Sequence, residues 1–253
     1  MTLVVPARAK LNLDLAVLGR TSDGFHEVRT HIQAIDFHDL LTLTPADRTT
    51  MTLSGPFRLD ATNNSVIRAH AAMQEESGRD LPTQFHLDKW IPPGSGMGGA
   101  SSDAAAALRG LKTIHSLSGI DLAKVASRIG ADVPFFLTGG GALAEGRGER
   151  LTQVPVEREW FAIAWPDIEL STAAVYRAWD EVGGDGANQL RKAAGHFDSR
   201  VNDFAERLGG TWQMTGSGSA FFLRCIDERA AGQAIANLDN CWRTVTQSIE
   251  AWT

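Results

Sequence analysis

The hydrophobic positions along this chain fall into strand-like and helix-like periods that trade places several times. From residue 9 to 17 they alternate, with Leu11, Leu13, Leu15 and Val17 on one face and Lys10, Asn12, Asp14 and Ala16 on the other, which predicts a strand with one buried face. Gly19 to Gly24 predicts a turn, and Phe25 opens a second extended segment through Ile32, Ala34 and Phe37. Shorter alternating stretches at 40–44 and 50–53, punctuated by Pro45 and Gly55-Pro56, predict more antiparallel strand. A helical period follows in Val66, Ile67, Ala69, His70 and Met73, with Asn63, Asn64 or Ser65 as cap and Gly78 as stop. Residues 84–90 predict a strand running into a glycine-rich loop, and the alanine-rich run 103–117 predicts the helix that leaves it. Asp121 caps a shorter helix, 122–129, which Gly130 closes. Gly139-Gly140-Gly141 and Glu145-Gly146-Arg147-Gly148 predict turns flanking a hairpin.

From about residue 160 the pattern changes. It predicts a strand at 161–165, a helix capped at Ser171 or Thr172, a helix at 201–208, a strand at 212–223, a helix at 227–238 and a last strand. This reads as a second α+β layer of roughly 100 residues. Thr215-Gly216-Ser217-Gly218-Ser219 interrupts its central strand, and glycine there predicts a bulge or a close approach of another backbone. No internal repeat and no low-complexity linker breaks the chain.

Composition narrows the class. At 253 residues and 43% hydrophobic, the chain can bury a core of one large or two ordinary domains. No apolar run approaches the ~18 residues of a membrane span, and the start lacks signal-peptide character, so a soluble cytoplasmic protein with no membrane partner is expected. The net charge is −6 and the arginines are scattered, which leaves no basic stripe for nucleic acid. Cys225 and Cys241 form neither a disulfide framework nor a zinc spacing and read as buried bystanders.

The candidate chemistry centres on Pro92-Pro93-Gly94-Ser95-Gly96-Met97-Gly98-Gly99-Ala100-Ser101-Ser102-Asp103. Four glycines in six positions leave backbone N–H groups unshielded at a helix N-terminus, where unpaired donors and the macrodipole favour an anion. Gly94, Gly96 and Gly99 also satisfy G-x-G-x-x-G, and a bare surface loop is a third reading. Asp121 has the spacing of a dinucleotide site's acidic residue, but it precedes a helix instead of ending a strand, and the flanks read antiparallel. A Walker A loop needs Lys after its last glycine, where Ala100-Ser101 stand. A phosphate loop whose lysine comes from elsewhere remains. Taken singly, Lys10 reads as an edge charge, His26 as a structural histidine and Asp132, beside Pro134, as a turn residue.

The loop resembles the phosphate motif of the galactokinase, homoserine kinase, mevalonate kinase and phosphomevalonate kinase (GHMP) superfamily. Ala9-Lys10-Leu11-Asn12-Leu13, Asp23-Gly24-Phe25-His26, Gly130-Ala131-Asp132-Val133-Pro134-Phe135 and Thr215-Gly216-Ser217-Gly218 together look like that superfamily's 4-diphosphocytidyl-2-C-methyl-D-erythritol kinase family. The likeness extends to Asp88-Lys89, Ser171-Thr172 with Tyr176, and Asn202-Asp203, in family order over essentially the whole chain. Ser95, Met97, Ala100 and Phe25 depart from residues common in the family, alanine, leucine, glycine and tyrosine respectively.

The resemblance implies a two-domain α+β GHMP kinase fold, with a ribosomal-S5-like α/β domain over 1–155 and a ferredoxin-like α+β domain over 156–253. It implies ATP as phosphoryl donor with Mg²⁺, and the diphosphocytidyl methylerythritol as small-molecule acceptor phosphorylated on its 2-hydroxyl, in a monomer or homodimer. Lys10 and Asp132 are then the expected catalytic pair. Asn64, Lys89 and the loop residues Pro92, Pro93, Gly94, Ser95, Gly96, Met97, Gly98, Gly99, Ala100, Ser101 and Ser102 would bind ATP, with Ser102 also meeting Mg²⁺. Asn12, Phe25, His26, Thr172 and Tyr176 would bind the acceptor. The rivals are a kinase of another small alcohol, such as homoserine or mevalonate, and a nucleotide-binding oxidoreductase or inactive sensor.

Overall fold

The computed structural model describes every residue except Arg58, Asn63 and Thr253, so the expected cap at Asn63 lies outside the described residues. The first part of the chain runs β1 (Leu3–Asn12), β2 (Ala16–Arg20), β3 (His26–Pro45), β4 (Thr50–Ser54), α1 (Ser65–Ser77) and β5 (Thr83–Asp88). It continues through α2 (Gly99–Ile114), α3 (Leu122–Ile129), α4 (Phe135–Thr138), β6 (Gly141–Gly146) and β7 (Arg150–Val154). The last part is β8 (Trp160–Trp165), α5 (Thr172–Val182), α6 (Arg191–Phe197), α7 (Arg200–Leu208), β9 (Gln213–Met214), β10 (Phe221–Cys225), α8 (Glu228–Ile235) and β11 (Trp242–Gln247).

Two compact units share these elements. One comprises Met1–Ala9, Phe37–Ile91 and Gly98–Thr138. There the second half of β3 pairs antiparallel with β5, which pairs in parallel with β4. A parallel neighbour needs a crossover, and α1 supplies it. Asn64 starts α1 by accepting the Val66 N–H at 2.9 Å, and Gly78 ends it in the left-handed region. Helix α2 lies so close to β3 that a Cβ at Gly110 would sit 2.6 Å from Leu43 Cδ1.

The other unit comprises Lys10–Asp36, Pro92–Met97 and Gly139–Thr253. Its part of β3 pairs with β2 and β6, and β6 forms a hairpin with β7. A four-stranded antiparallel sheet, ordered β11-β8-β10-β9, carries α8 on it. Val175, Leu190, Val201, Phe204 and Phe221 are at the centre of its apolar core.

Several expected elements are redrawn. The single strand over 9–17 is two, because Leu15 leaves the ladder to bridge Asn188 and exchanges backbone hydrogen bonds with Ala187 and Gln189. The face of β1 expected to meet solvent is buried at Lys10 and Asn12. Helix α2 begins at Gly99 instead of Asp103, the low helix propensity of Gly99 having hidden its first turn. Strand β5 stops at Asp88, one residue before Lys89. The strand over 212–223 is a hairpin, with residues 215–220 as its loop. Helix α6 was not predicted: at seven residues it offers fewer than two full turns of period.

Candidate active site

Lys10 is the hub of the second unit. Its ammonium donates to the Gly96 carbonyl and to Asn12 Oδ1, and its backbone N–H donates to Met97 O at 3.1 Å. The residue is 3% exposed, so its ammonium sits in a site with little water, held by a carbonyl and an amide oxygen. Asn12 is oriented in turn, donating from Nδ2 to Thr30 Oγ1 and from its backbone to Thr215 Oγ1, each at 2.8 Å. Over this cluster two glycine backbones meet. A Cβ at Gly96 would lie 2.3 Å from Thr215 O, and one at Gly216 would lie 2.8 Å from Gly96 O and 3.0 Å from the Lys10 ammonium. Both have positive φ, so space and backbone each require glycine. The close approach expected at 215–219 is therefore real, and Ala220 N–H on Ser95 O at 2.9 Å completes it. Ser95 also closes its own turn, donating to Pro92 O at 2.7 Å.

The remainder of the glycine loop lies in the first unit. Gly98, at φ +74°, caps α2, and Gly99, Ala100 and Ser101 form its first turn, so their N–H groups have no earlier carbonyl of the helix to bind. Ser102, 2% exposed, is the first to close the ladder, donating to Gly98 O at 2.9 Å. Behind this turn, Lys89 is buried against two carboxylates, Asp39 and, at 2.9 Å, Asp103. Burial pulls the Lys89 pKa down, but the facing Asp103 and Asp39 outweigh it and leave it raised. Burial pushes Asp103 up to about 8 against the opposing pull of Lys89.

The aromatic residues assemble around His26 in the second unit. Its ring stacks on Tyr176 at 4.8 Å and 24° and meets Trp179 edge-on at 5.6 Å. Nε2 pairs with Asp180 Oδ1 at 2.7 Å, which fixes the ring. Phe25 is half exposed and lies under the Arg147 guanidinium, 3.8 Å from its ring centre, with Asp23 pairing that guanidinium. Thr172 opens α5 and shares a 2.9 Å hydrogen bond with Ser217.

The sequence-based candidates thus fall into groups: Lys10, Asn12 and Gly96; Lys89 and Gly99; His26 and Tyr176; and Thr172 with Ser217. Asp132 occupies the half-buried turn between α3 and α4, where Val133 N–H closes on Gly130 O at 3.1 Å. Among the described residues no cluster of three or more His, Cys, Asp or Glu would hold a metal ion. Three residues escaped the sequence reading: Asp39, Asp180 and Asn188. Asn188 donates to Met214 O and Gly216 O at 2.7 and 2.9 Å and so holds the loop over Lys10. None belongs to a local motif; each acquires its role from a partner far along the chain.

Residues 64–140 match the family described as GHMP kinases N terminal domain. The 4-diphosphocytidyl-2-C-methyl-D-erythritol kinase of Chromohalobacter salexigens is 36% identical over 264 aligned positions, covering 95% of this chain and 88% of that protein. The kinase of the same name from Shewanella baltica is 42% identical over 92% of this chain and 88% of its own. This chain belongs to the 4-diphosphocytidyl-2-C-methyl-D-erythritol kinase family. With the Ectopseudomonas mendocina member the identity is 43%, but the match spans 70% of this chain and 62% of that one, less than two thirds of its length. A crystal structure of a 4-(cytidine 5'-diphospho)-2C-methyl-D-erythritol kinase superposes with a TM-score of 0.79 at 29% identity, covering 98% of this chain and all of the other. The homoserine kinase of Cytophaga hutchinsonii, at 20% identity and a TM-score of 0.69 over 99% and 95% of the two chains, shares the α+β GHMP kinase fold.

Proposed function

We propose that this chain transfers the γ-phosphoryl group of ATP to the 2-hydroxyl of 4-diphosphocytidyl-2-C-methyl-D-erythritol, in the cytoplasm, as a step of the non-mevalonate route to isoprenoid precursors. The observation that supports it best is the buried Lys10 ammonium held on the Gly96 carbonyl beneath Gly216. A cation so placed on a glycine loop suits a reaction whose transition state spreads negative charge over phosphoryl oxygens.

In this reading the 2-hydroxyl oxygen bonds to the γ-phosphorus as the bond from that phosphorus to the β,γ-bridging oxygen breaks, and ADP leaves. Asp132 accepts the hydroxyl proton, and Lys10 orients the hydroxyl and favours its alkoxide. The N–H groups of Gly99, Ala100 and Ser101 receive the phosphates, with the rest of the loop from Pro92 around them. Mg²⁺, met by Ser102, would neutralise the β- and γ-phosphate oxygens. Asn64 and Lys89 serve the adenosine end. Phe25 and Tyr176 stack on the cytosine, His26 reads its edge, and Asn12 and Thr172 bind the rest of the acceptor.

The test is turnover of the diphosphocytidyl alcohol with Mg-ATP, with the new phosphate located by ³¹P NMR. A phosphomonoester on the 2-oxygen is the expected product. Turnover of homoserine or mevalonate instead, or ATP binding with no phosphorylation of any of the three alcohols, would refute the reading.

A further inference from the structure

Asp39 lies on β3, distant in sequence from any motif of the site, and is fully buried. One of its carboxylate oxygens, Oδ1, accepts the backbone N–H groups of Trp90 and Ile91 at 2.5 and 2.7 Å, the residues that lead into the glycine loop. The other, Oδ2, accepts from the Lys89 ammonium. That ammonium also donates to Asp103 on α2, just past the loop's other end, at 2.9 Å. Gly99 completes the arrangement, since a Cβ there would stand 2.7 Å from the same Nζ. The backbone of Lys89 is fixed as well: its N–H donates to Ser54 O at 2.9 Å, and Gly55 leaves room for its carbonyl.

Stability is a poor account of this cluster. Three ionisable groups, two carboxyls and one ammonium, lie at 3% exposure or less, and Asp103 Oδ1 is buried with no hydrogen-bond partner among the described residues. Apolar residues of similar volume in place of such a buried ionic network are often neutral or stabilising. What the network supplies is placement: one carboxylate fastens the start of the loop directly and its far end through a single lysine. The segment between is held to a fixed span, and the unpaired amides of α2 are held in a fixed direction.

We propose that Asp39 is a positioning residue for ATP, fastening both ends of the glycine loop so that the first turn of α2 is aimed at the nucleotide phosphates. The proposal rests on the kinase reading given above. Asp39 acts through Trp90, Ile91 and Lys89 and, being fully buried, does not itself touch nucleotide.

The test uses the full chain with Asp39→Asn, Asp39→Ala and Asp103→Asn. Asp39→Asn keeps an oxygen for the two backbone N–H groups and leaves Lys89 paired with Asp103; Asp103→Asn leaves it paired with Asp39. Neither strands the ammonium, so both are expected to fold, as circular dichroism and a cooperative melt would report. Small misplacements remote from the chemistry are expensive, so KM for ATP should rise about 10-fold in Asp39→Asn and further in Asp39→Ala. KM for the diphosphocytidyl alcohol should stay within about twofold. ADP affinity by calorimetry should fall in the same order. Folded Asp39→Asn and Asp103→Asn proteins with wild-type ATP KM and ADP affinity would overturn the proposal even if Asp39→Ala fails to fold. Wild-type protein that binds no ADP would instead overturn the kinase reading, and the positioning role with it.

Discussion

Gly216 stands where any side chain would strike Lys10: a Cβ built on it lies 3.0 Å from the ammonium. The glycine is thus a requirement of the lysine's position. Its φ of +55° adds a second penalty for any replacement, of about 1–2 kcal/mol for leaving the left-handed region to a residue with a Cβ. Gly216→Ala should lower Tm by a few degrees while cutting kcat by about 100-fold, because the displaced ammonium loses its aim. A melt and a steady-state assay on the same preparation separate the two effects; a full loss of Tm with normal kcat would contradict this account.

Removal of the ammonium itself is the sharper experiment. Lys10→Met keeps the length of the stem, and Asp132→Asn keeps the shape of the carboxylate. Each should reduce kcat by about 10²–10⁴-fold with the fold intact, the range for a positioned acid or base. Near-normal turnover in either purified variant removes that residue from the mechanism.

Asp103 makes stability respond to pH. Its pKa is about 8 in the folded chain against an ordinary 3.8, so the folded state binds a proton that the unfolded state has released. The contribution is fully present below pH ~4, declines as pH rises through the window, and is gone above pH ~8. Urea unfolding at pH 5 and pH 8 should show a loss across that interval, and Asp103→Asn should flatten it. An equal slope in wild type and variant would mean that Asp103 does not hold this proton.

His26 is set by Asp180 and stacked on Tyr176. His26→Ala should raise KM for the cytidyl substrate about 10-fold, one hydrogen bond's worth, and leave ATP KM unchanged. Asp180→Asn should have a smaller effect of the same kind. Equal changes in both KM values would point to a general loss of structure and against base recognition.

The glycine loop and the helix behind it could be read from the sequence by their local chemistry, whereas Lys10 and His26, which singly read as an edge charge and a structural histidine, became candidates only through the family resemblance. The direction in which the Lys10 face points could not be read. Alternation says that a strand has two faces, but β1 is covered on both from Ala9 to Asn12, and only the tertiary structure decides that. The start of α2 was misplaced by four residues because a glycine-rich first turn carries no propensity signal, although the fold supplies the helix. Asp39 gave no signal at all: an aspartate in the middle of a long strand looks like a surface residue until Trp90, Ile91 and Lys89 fold onto it. Charged residues serving backbone amides far along the chain lack a pattern that one sequence can display.

The departure at Ala100 reads differently once α2 is known to begin at Gly99. The residue is helical and exposed, so its methyl group meets open surroundings instead of crowding the loop. A glycine there would have more disorder to lose when the turn forms, by roughly 0.5–1 kcal/mol. The alanine therefore lowers the entropy cost of ordering the N–H groups that, in the proposed kinase, receive phosphate. The cradle is stiffer before its ligand arrives, and less of the binding free energy goes into shaping it.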